Sequence, residues 1–154
     1  MRLLGTVNDQ QLTKMTRQIS LDFFQRPFKH QIYFNRRLQT TGGRYLLKSH
    51  NIEINPKVWQ QGGQQLLVGV IKHELCHYHL HLQQQDASHR SIAFKQLLRS
   101  VGGVRYIPWL MIINYHYLYL CQNCGHQYQR QRRINTNRLV CGICRGKLKL
   151  VKHN

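Results

Sequence analysis

Acidic residues are almost missing from this 154-residue chain: Asp9, Asp22, Glu53, Glu74 and Asp86 stand against 23 lysines and arginines, and none follows Asp86. The formal charge of +18 excludes a self-balanced surface, and a polyanion is the partner that relieves such self-repulsion, nucleic acid before an anionic membrane. Long apolar runs are scarce as well. Met1 to Leu4 is too short for a secretory signal, and the run from Ile107 to Leu120 is interrupted by Pro108, Asn114 and His116, so a soluble, cytoplasmic protein without membrane contact is expected. Five cysteines are too few and too clustered for a secreted disulfide scaffold. A hydrophobic fraction of 42% excludes general disorder, and the length suits one compact domain with a small appendage.

What is present reads as alternating helical and extended pattern. Asn8 or Asp9 can cap a helix, with Gln11 at the capping-box position and Leu12, Met15, Ile19 and Phe23 at helical spacing before Pro27. Residues 31–38, 43–48 and 51–55 read as three short strands. From about Gln64 to Gln84, Leu66, Leu67, Val70, Ile71, Leu75, Tyr78 and Leu82 surround most of the circumference of a buried central helix. Asp86 or Ser88 can cap the next helix, which carries Phe94, Leu97, Leu98 and Val101 and stops at Gly102-Gly103. From Asn114 a period of two sets Tyr115, Tyr117 and Tyr119 against His116, Leu118 and Leu120, the start of a second module.

His73-Glu74-Leu75-Cys76-His77 falls in the middle of the central helix. Residues four apart on a helix differ by only about 40° in azimuth and roughly 6 Å along the axis, so both imidazoles reach one zinc ion. Glu74, one step round, can face the same cleft without ligating and act as general base. An isolated buried carboxylate is costly unless a metal or a proton neutralises it, which disfavours a helix carrying these residues by chance. A catalytic zinc needs a third protein ligand. His79, His81, His89, His116 and His126 are the nearby candidates, of which His79 has the wrong azimuth and His81 lies too far along the helix. His89 is the best candidate: it follows a polar break at 83–88 and is expected to open the next helix, whose dipole keeps the imidazole neutral. Cys76 reads as a small core residue.

With Thr40-Thr-Gly-Gly-Arg-Tyr45, Asn51-Ile-Glu-Ile-Asn55 and His89-Arg-Ser-Ile-Ala-Phe94 around this segment, the chain resembles the SprT-like family of zinc metalloproteases over nearly its whole length. That family includes Spartan, a DNA-dependent protease acting on proteins crosslinked to DNA, and a chain this short is more like the bacterial SprT-like proteins. The resemblance implies that His73, His77 and His89 hold catalytic zinc and that Glu74 is the catalytic carboxylate.

Cys121-Gln-Asn-Cys124 and Cys141-Gly-Ile-Cys144, 16 residues apart, have the spacing of a four-cysteine structural zinc site. Gly125 and Gly142 would supply the tight knuckle turns, and 115–120, 127–133 and 147–151 the strands. A module of about thirty residues cannot bury much core, so metal should carry most of its folding free energy. Arg130, Arg132 and Arg133 could pair phosphates, with Tyr117, Tyr119 and Tyr128 stacking on unpaired bases.

The sequence therefore predicts an α+β, zincin-like minimal metalloprotease domain over 1–117 and a four-cysteine zinc ribbon over 118–154. It predicts a zinc-dependent metallopeptidase cleaving protein substrates in association with DNA, with one catalytic and one structural Zn²⁺. The competing class is a transcription-associated, zinc-containing nucleic-acid-binding protein with an idle peptidase site.

Overall fold

The computed structural model describes residues 6–107 and 116–153, with the backbone alone at 152 and 153. The chain divides into two compact units, Met1–Ile107 and Pro108–Asn154. Tyr115 of the period-two pattern lies outside the described residues.

The first unit begins with α1 (Asp9–Phe24), capped by Asn8 through both bonds of a capping box: Gln11 N–H donates to Asn8 Oδ1 at 2.8 Å and Asn8 N–H donates to Gln11 Oε1 at 3.0 Å. Three short strands follow, β1 (Ile32–Phe34), β2 (Gly43–Tyr45) and β3 (Ile52–Ile54), in the spatial order β1-β3-β2. Strand β1 runs parallel to β3 and β2 runs antiparallel to it, pairing Gly43 with Ile54 and Tyr45 with Ile52. Strand β2 is thus an edge. Glu53 in the central strand is buried, and burial opposes its ionisation. Hydrogen bonds from Arg44, Asn35 and Tyr33 outweigh that cost and hold its carboxyl below the usual carboxylate range. Arg44 supplies two of them, from Nε at 2.9 Å and Nη2 at 2.6 Å.

The central element α2 spans Pro56–Leu82 as two helices joined across a kink at Gly63, so the helix expected from about residue 64 is preceded by a short one that starts at Pro56. Pro56 sits at the first helical position, where a missing N–H costs nothing, and Asn55 caps it by accepting from Lys57 N–H. The two helices meet at the Gly62-Gly63 pair, where Gly63 alone is non-helical (φ 63, ψ −161). Leu67, Val70, Ile71, Leu75 and Tyr78 of α2 pack with Leu12, Phe28, Ile52, Ile54 and Phe94 in one core. Helix α3 (Ile92–Val101) is capped by Ser91, whose hydroxyl accepts from Phe94 N–H, and not by Asp86 or Ser88. Those two residues close their own turn, Ser88 N–H donating to Asp86 Oδ1 at 2.8 Å, so His89 precedes the helix and does not open it. Gly102 ends α3 in a left-handed conformation.

The second unit is a three-stranded antiparallel sheet of β4 (Tyr117–Cys121), β5 (Gln127–Arg130) and β6 (Leu148–His153), ordered β5-β4-β6. Its interior is small: Tyr119, Cys121, Cys141 and Leu148 are buried, with Tyr128, Ile134 and Cys144 packed beside the cysteines. Among the described residues no helix is long and apolar enough to cross a membrane.

Candidate metal centres

The helical spacing of His73 and His77 and the reversal of the chain after α2 bring three imidazoles together. Their Nε2 atoms lie 2.9 Å (His73 to His89), 3.0 Å (His77 to His89) and 3.2 Å (His73 to His77) apart. The other ring nitrogens of the helical pair are committed. His73 Nδ1–H donates to the carbonyl of Val104 and His77 Nδ1–H to that of Ala87, both at 2.7 Å. A carbonyl can only accept, so neutral His73 and His77 turn two bare lone pairs towards each other, which repel unless a cation lies between them. Tetrahedral zinc with bonds of about 2.0–2.1 Å sets its nitrogen ligands about 3.3 Å apart, close to what is found. The donor set fits that ion.

Electrostatics agree with ligation by neutral rings. Burial, with His77 and His89 nearby, pulls His73 down to about 4. Burial also lowers His77 and His89, in the latter with help from Arg105. For His89 this replaces the helix-dipole argument, because the residue lies outside α3. Phe94 floors the cluster, its ring centroid 4.5 Å from His77, 5.0 Å from His89 and 5.2 Å from His73. The Val104 carbonyl reaches His73 because Gly103 crosses α2 closely: a Cβ there would stand 3.3 Å from His73 N and 2.4 Å from Leu98 Cδ1.

Glu74 turns to the edge strand. Its carboxyl lies against Gly43, where a Cβ would meet Oε1 at 2.8 Å, and accepts a hydrogen bond from the Tyr45 backbone N–H. Burial drives its pKa up to about 8. The remaining candidates lie elsewhere. His79 Nε2 bonds Ser20 Oγ at 2.8 Å, His81 Nδ1 meets the Tyr45 hydroxyl, His116 and His126 are exposed in the second unit, and Cys76 is fully buried. The two carbonyls, the Phe94 floor and the Tyr45 amide escaped the sequence reading. Backbone acceptors have no sequence signature, and Phe94 reads there only as a core residue.

In the second unit the four thiols converge, with Cys121 Sγ 3.4 Å from Cys144 Sγ and Cys124 Sγ 3.6 Å from Cys141 Sγ. Tetrahedral Zn–S bonds of about 2.3 Å place sulfurs about 3.8 Å apart, whereas a disulfide would need about 2.05 Å. Backbone N–H groups of Cys124, Ile143 and Gly146 donate to Cys121, Cys141 and Cys144, as thiolates require. The Tyr128 hydroxyl, 3.1 Å from Cys141 Sγ, helps pull that thiol down to about 6. The knuckles are related by residue offset. Gly125 (φ 74) and Arg145 (φ 60) take the left-handed position four residues after the first cysteine of each pair, with N–H to carbonyl bonds of 3.1 and 2.9 Å. Gly142 does not hold that role.

Arg130, Arg132 and Arg133 are all exposed. Their expected aromatic neighbours behave differently. Tyr119 is buried, its hydroxyl accepting from Ile134 N–H at 3.0 Å, and Tyr128 is bound up in the second knuckle. Tyr119 is therefore no stacking platform.

A family model described as the SprT-like family matches residues 12–116, and one described as the SprT-like zinc ribbon domain matches residues 115–152. The chain belongs to the SprT-like family. Proteins named "Protein SprT-like" are similar to it along nearly its full length. That of Lactiplantibacillus plantarum is 51% identical over 148 residues, 94% of this chain and 100% of that protein. That of Staphylococcus saprophyticus is 48% identical over 147 residues, 93% and 95% of the two chains, and that of Geobacillus kaustophilus 49% over 148 residues, 94% and 99%. No solved structure matches. In this SprT-like chain the four-cysteine cluster lies within the zinc ribbon, which supports zinc binding there.

Proposed function

We propose that the chain is a zinc-dependent peptidase acting on proteins associated with nucleic acid. The observation that carries this reading is Glu74: a buried carboxyl, adjacent on α2 to one of three converged imidazoles, held at the edge strand in a place a structural metal site does not need. His73, His77 and His89 would hold the metal. A zinc ion there supplies Lewis-acid polarisation of a carbonyl and lowers the pKa of water. Glu74 takes a proton from water at a carboxylate oxygen and returns it to the departing amine, and a proton affinity near neutrality suits both transfers. Gly43 and Tyr45 alternate with residues bonded to β3, since Asn55 N–H donates to Gly42 O and Leu46 N–H to Asn51 O. The Gly43 backbone thus faces away from β3, an edge to which an extended peptide can add as a strand.

Two zinc ions per chain of unequal lability are expected. The three-nitrogen site keeps an open position and should yield its metal to a chelator first, while the closed four-thiolate site should hold on. Elemental analysis before and after graded chelation measures this. His89→Ala should leave one zinc, and a single ion that survives loss of Cys121 overturns the assignment.

Nucleic-acid contact rests on the charge, the absence of any acid after Asp86 and three exposed ribbon arginines. Changing Arg130, Arg132 and Arg133 together to Ala should flatten the log affinity against log salt slope for DNA by about two to three units, without altering sequence preference. The same change should remove the stimulation that DNA gives to cleavage of a DNA-bound protein, because the strand concentrates enzyme and substrate together. An unchanged slope assigns the arginines to a solvated face.

A further inference from the structure

Outside the histidine triad, α2 and the β2–β3 hairpin share a second polar cluster. The Tyr45 hydroxyl lies 2.7 Å from Nδ1 of His50, at the hairpin tip, and 2.7 Å from Nδ1 of His81, in the last turn of α2. A phenol has one hydrogen, so it donates to one imidazole and accepts from the other, and the two rings must be complementary tautomers. Burial and nearby Tyr78 push the phenol up to about 12, so it keeps that hydrogen. Beneath it the Tyr78 ring meets the Tyr45 ring edge-on at 6.0 Å, and the Tyr78 hydroxyl is fixed by Lys29 N–H at 3.2 Å and His30 Nδ1 at 2.9 Å.

The helix geometry connects this cluster to Glu74. Residues 74 and 81 are seven apart, hence nearly at the same azimuth and about 10 Å apart along the axis. One residue of the edge strand therefore meets α2 twice: the Tyr45 backbone N–H at Glu74 and the Tyr45 hydroxyl at His81. The third partner bears a conformational cost to be there. His50 sits at φ 59, a left-handed position in a short loop where Gly or Asn would be relaxed.

We propose that Tyr45 is a positioning residue for the general base, its hydroxyl clamped by His50 and His81 so that its amide fixes the Glu74 carboxyl and the register of the peptide-binding edge. This rests on the peptidase reading for its kinetic consequence, though not for the clamp itself.

The test uses the zinc-loaded full chain. Tyr45→Phe keeps the ring and removes the hydroxyl. It should lower kcat about tenfold with KM unchanged, and hydrogen exchange at the Tyr45 amide should quicken about tenfold while α1 and β3 stay as protected as before. His50→Ala should act in the same direction. His50→Asn, which tolerates the left-handed backbone and offers an amide in place of Nδ1, should restore both readouts. Parental kcat and amide exchange in Tyr45→Phe overturn the proposal. So does exchange that rises uniformly through the unit with kcat and KM changing together, since that marks a merely structural tyrosine. If the parent protein cleaves nothing, the peptidase reading fails, and exchange at the Tyr45 amide still decides the clamp.

Discussion

Glu74→Gln should cut peptide cleavage by at least about a hundred- to ten-thousandfold, the range that a positioned general base contributes, while both zinc ions and the fold remain. Glutamine has nearly the same shape, and its carbonyl oxygen can still accept from the Tyr45 N–H and lie against Gly43. What it loses is the capacity to take a proton. Initial rates on a protein substrate, together with zinc content, measure the effect, and a parental rate would remove Glu74 from the chemistry. Stability gives a second readout with a definite sign. In the metal-free protein the Glu74 pKa is raised to about 8 from an ordinary value of 4.5, so the folded state binds the proton more tightly than the unfolded state. The stability this contributes is complete below about 4.5 and is lost as pH rises towards 8. The glutamine variant has no such loss, so its advantage in Tm over the parent should grow across that interval.

Cys141→Ser should unfold the ribbon and lower the zinc content from two ions to one. Cys141 is wholly buried, its sulfur lies 3.1 Å from the Tyr128 hydroxyl, and the remaining ribbon core is little more than Tyr119, Cys121 and Leu148 with Tyr128 and Ile134 beside them. Structural zinc contributes about 10–16 kcal/mol in small zinc-folded peptides, as much as or more than the roughly 5–15 kcal/mol net stability of a whole domain. A core this small cannot offset that loss. The first unit buries its own core around Leu12, Ile52, Leu75 and Phe94 and should keep a cooperative transition. Amide dispersion in two-dimensional NMR, or limited proteolysis across residues 117–153, separates the two units. A ribbon that stays dispersed and resistant after the substitution would show that its metal is dispensable.

The chemistry written in short-range spacing was legible from the sequence. His73 and His77 meet because a helix repeats every 3.6 residues, and that depends on nothing outside α2. Each cysteine pair likewise forms its knuckle within a few residues of chain, by a turn and not a helix, and the Asn8 box closes within one turn. The resemblance to the SprT-like family rested on such local segments, and the family models extend it over both units.

Tertiary structure decided the rest. The short helix from Pro56 was hidden because a Gly-Gly pair breaks a helix, and the kink at Gly63 does divide α2 there; what local pattern missed is that residues 56–62 are helical as well. The cap of α3 moved to Ser91 because Asp86 and Ser88 spend their hydrogen bonds on their own turn. Tyr119 was withdrawn from any nucleic-acid surface by a core that needs its bulk, and Arg145 took a left-handed position that composition assigns to Gly142. The tautomers of His73 and His77 are set by carbonyls 31 and 10 residues away, and the Glu74 carboxyl by an amide of the edge strand. Residue spacing along one helix fixes which side chains share a face. Which partner stands opposite that face, and so which proton, lone pair or burial each side chain is given, depends on long-range packing that no local pattern encodes.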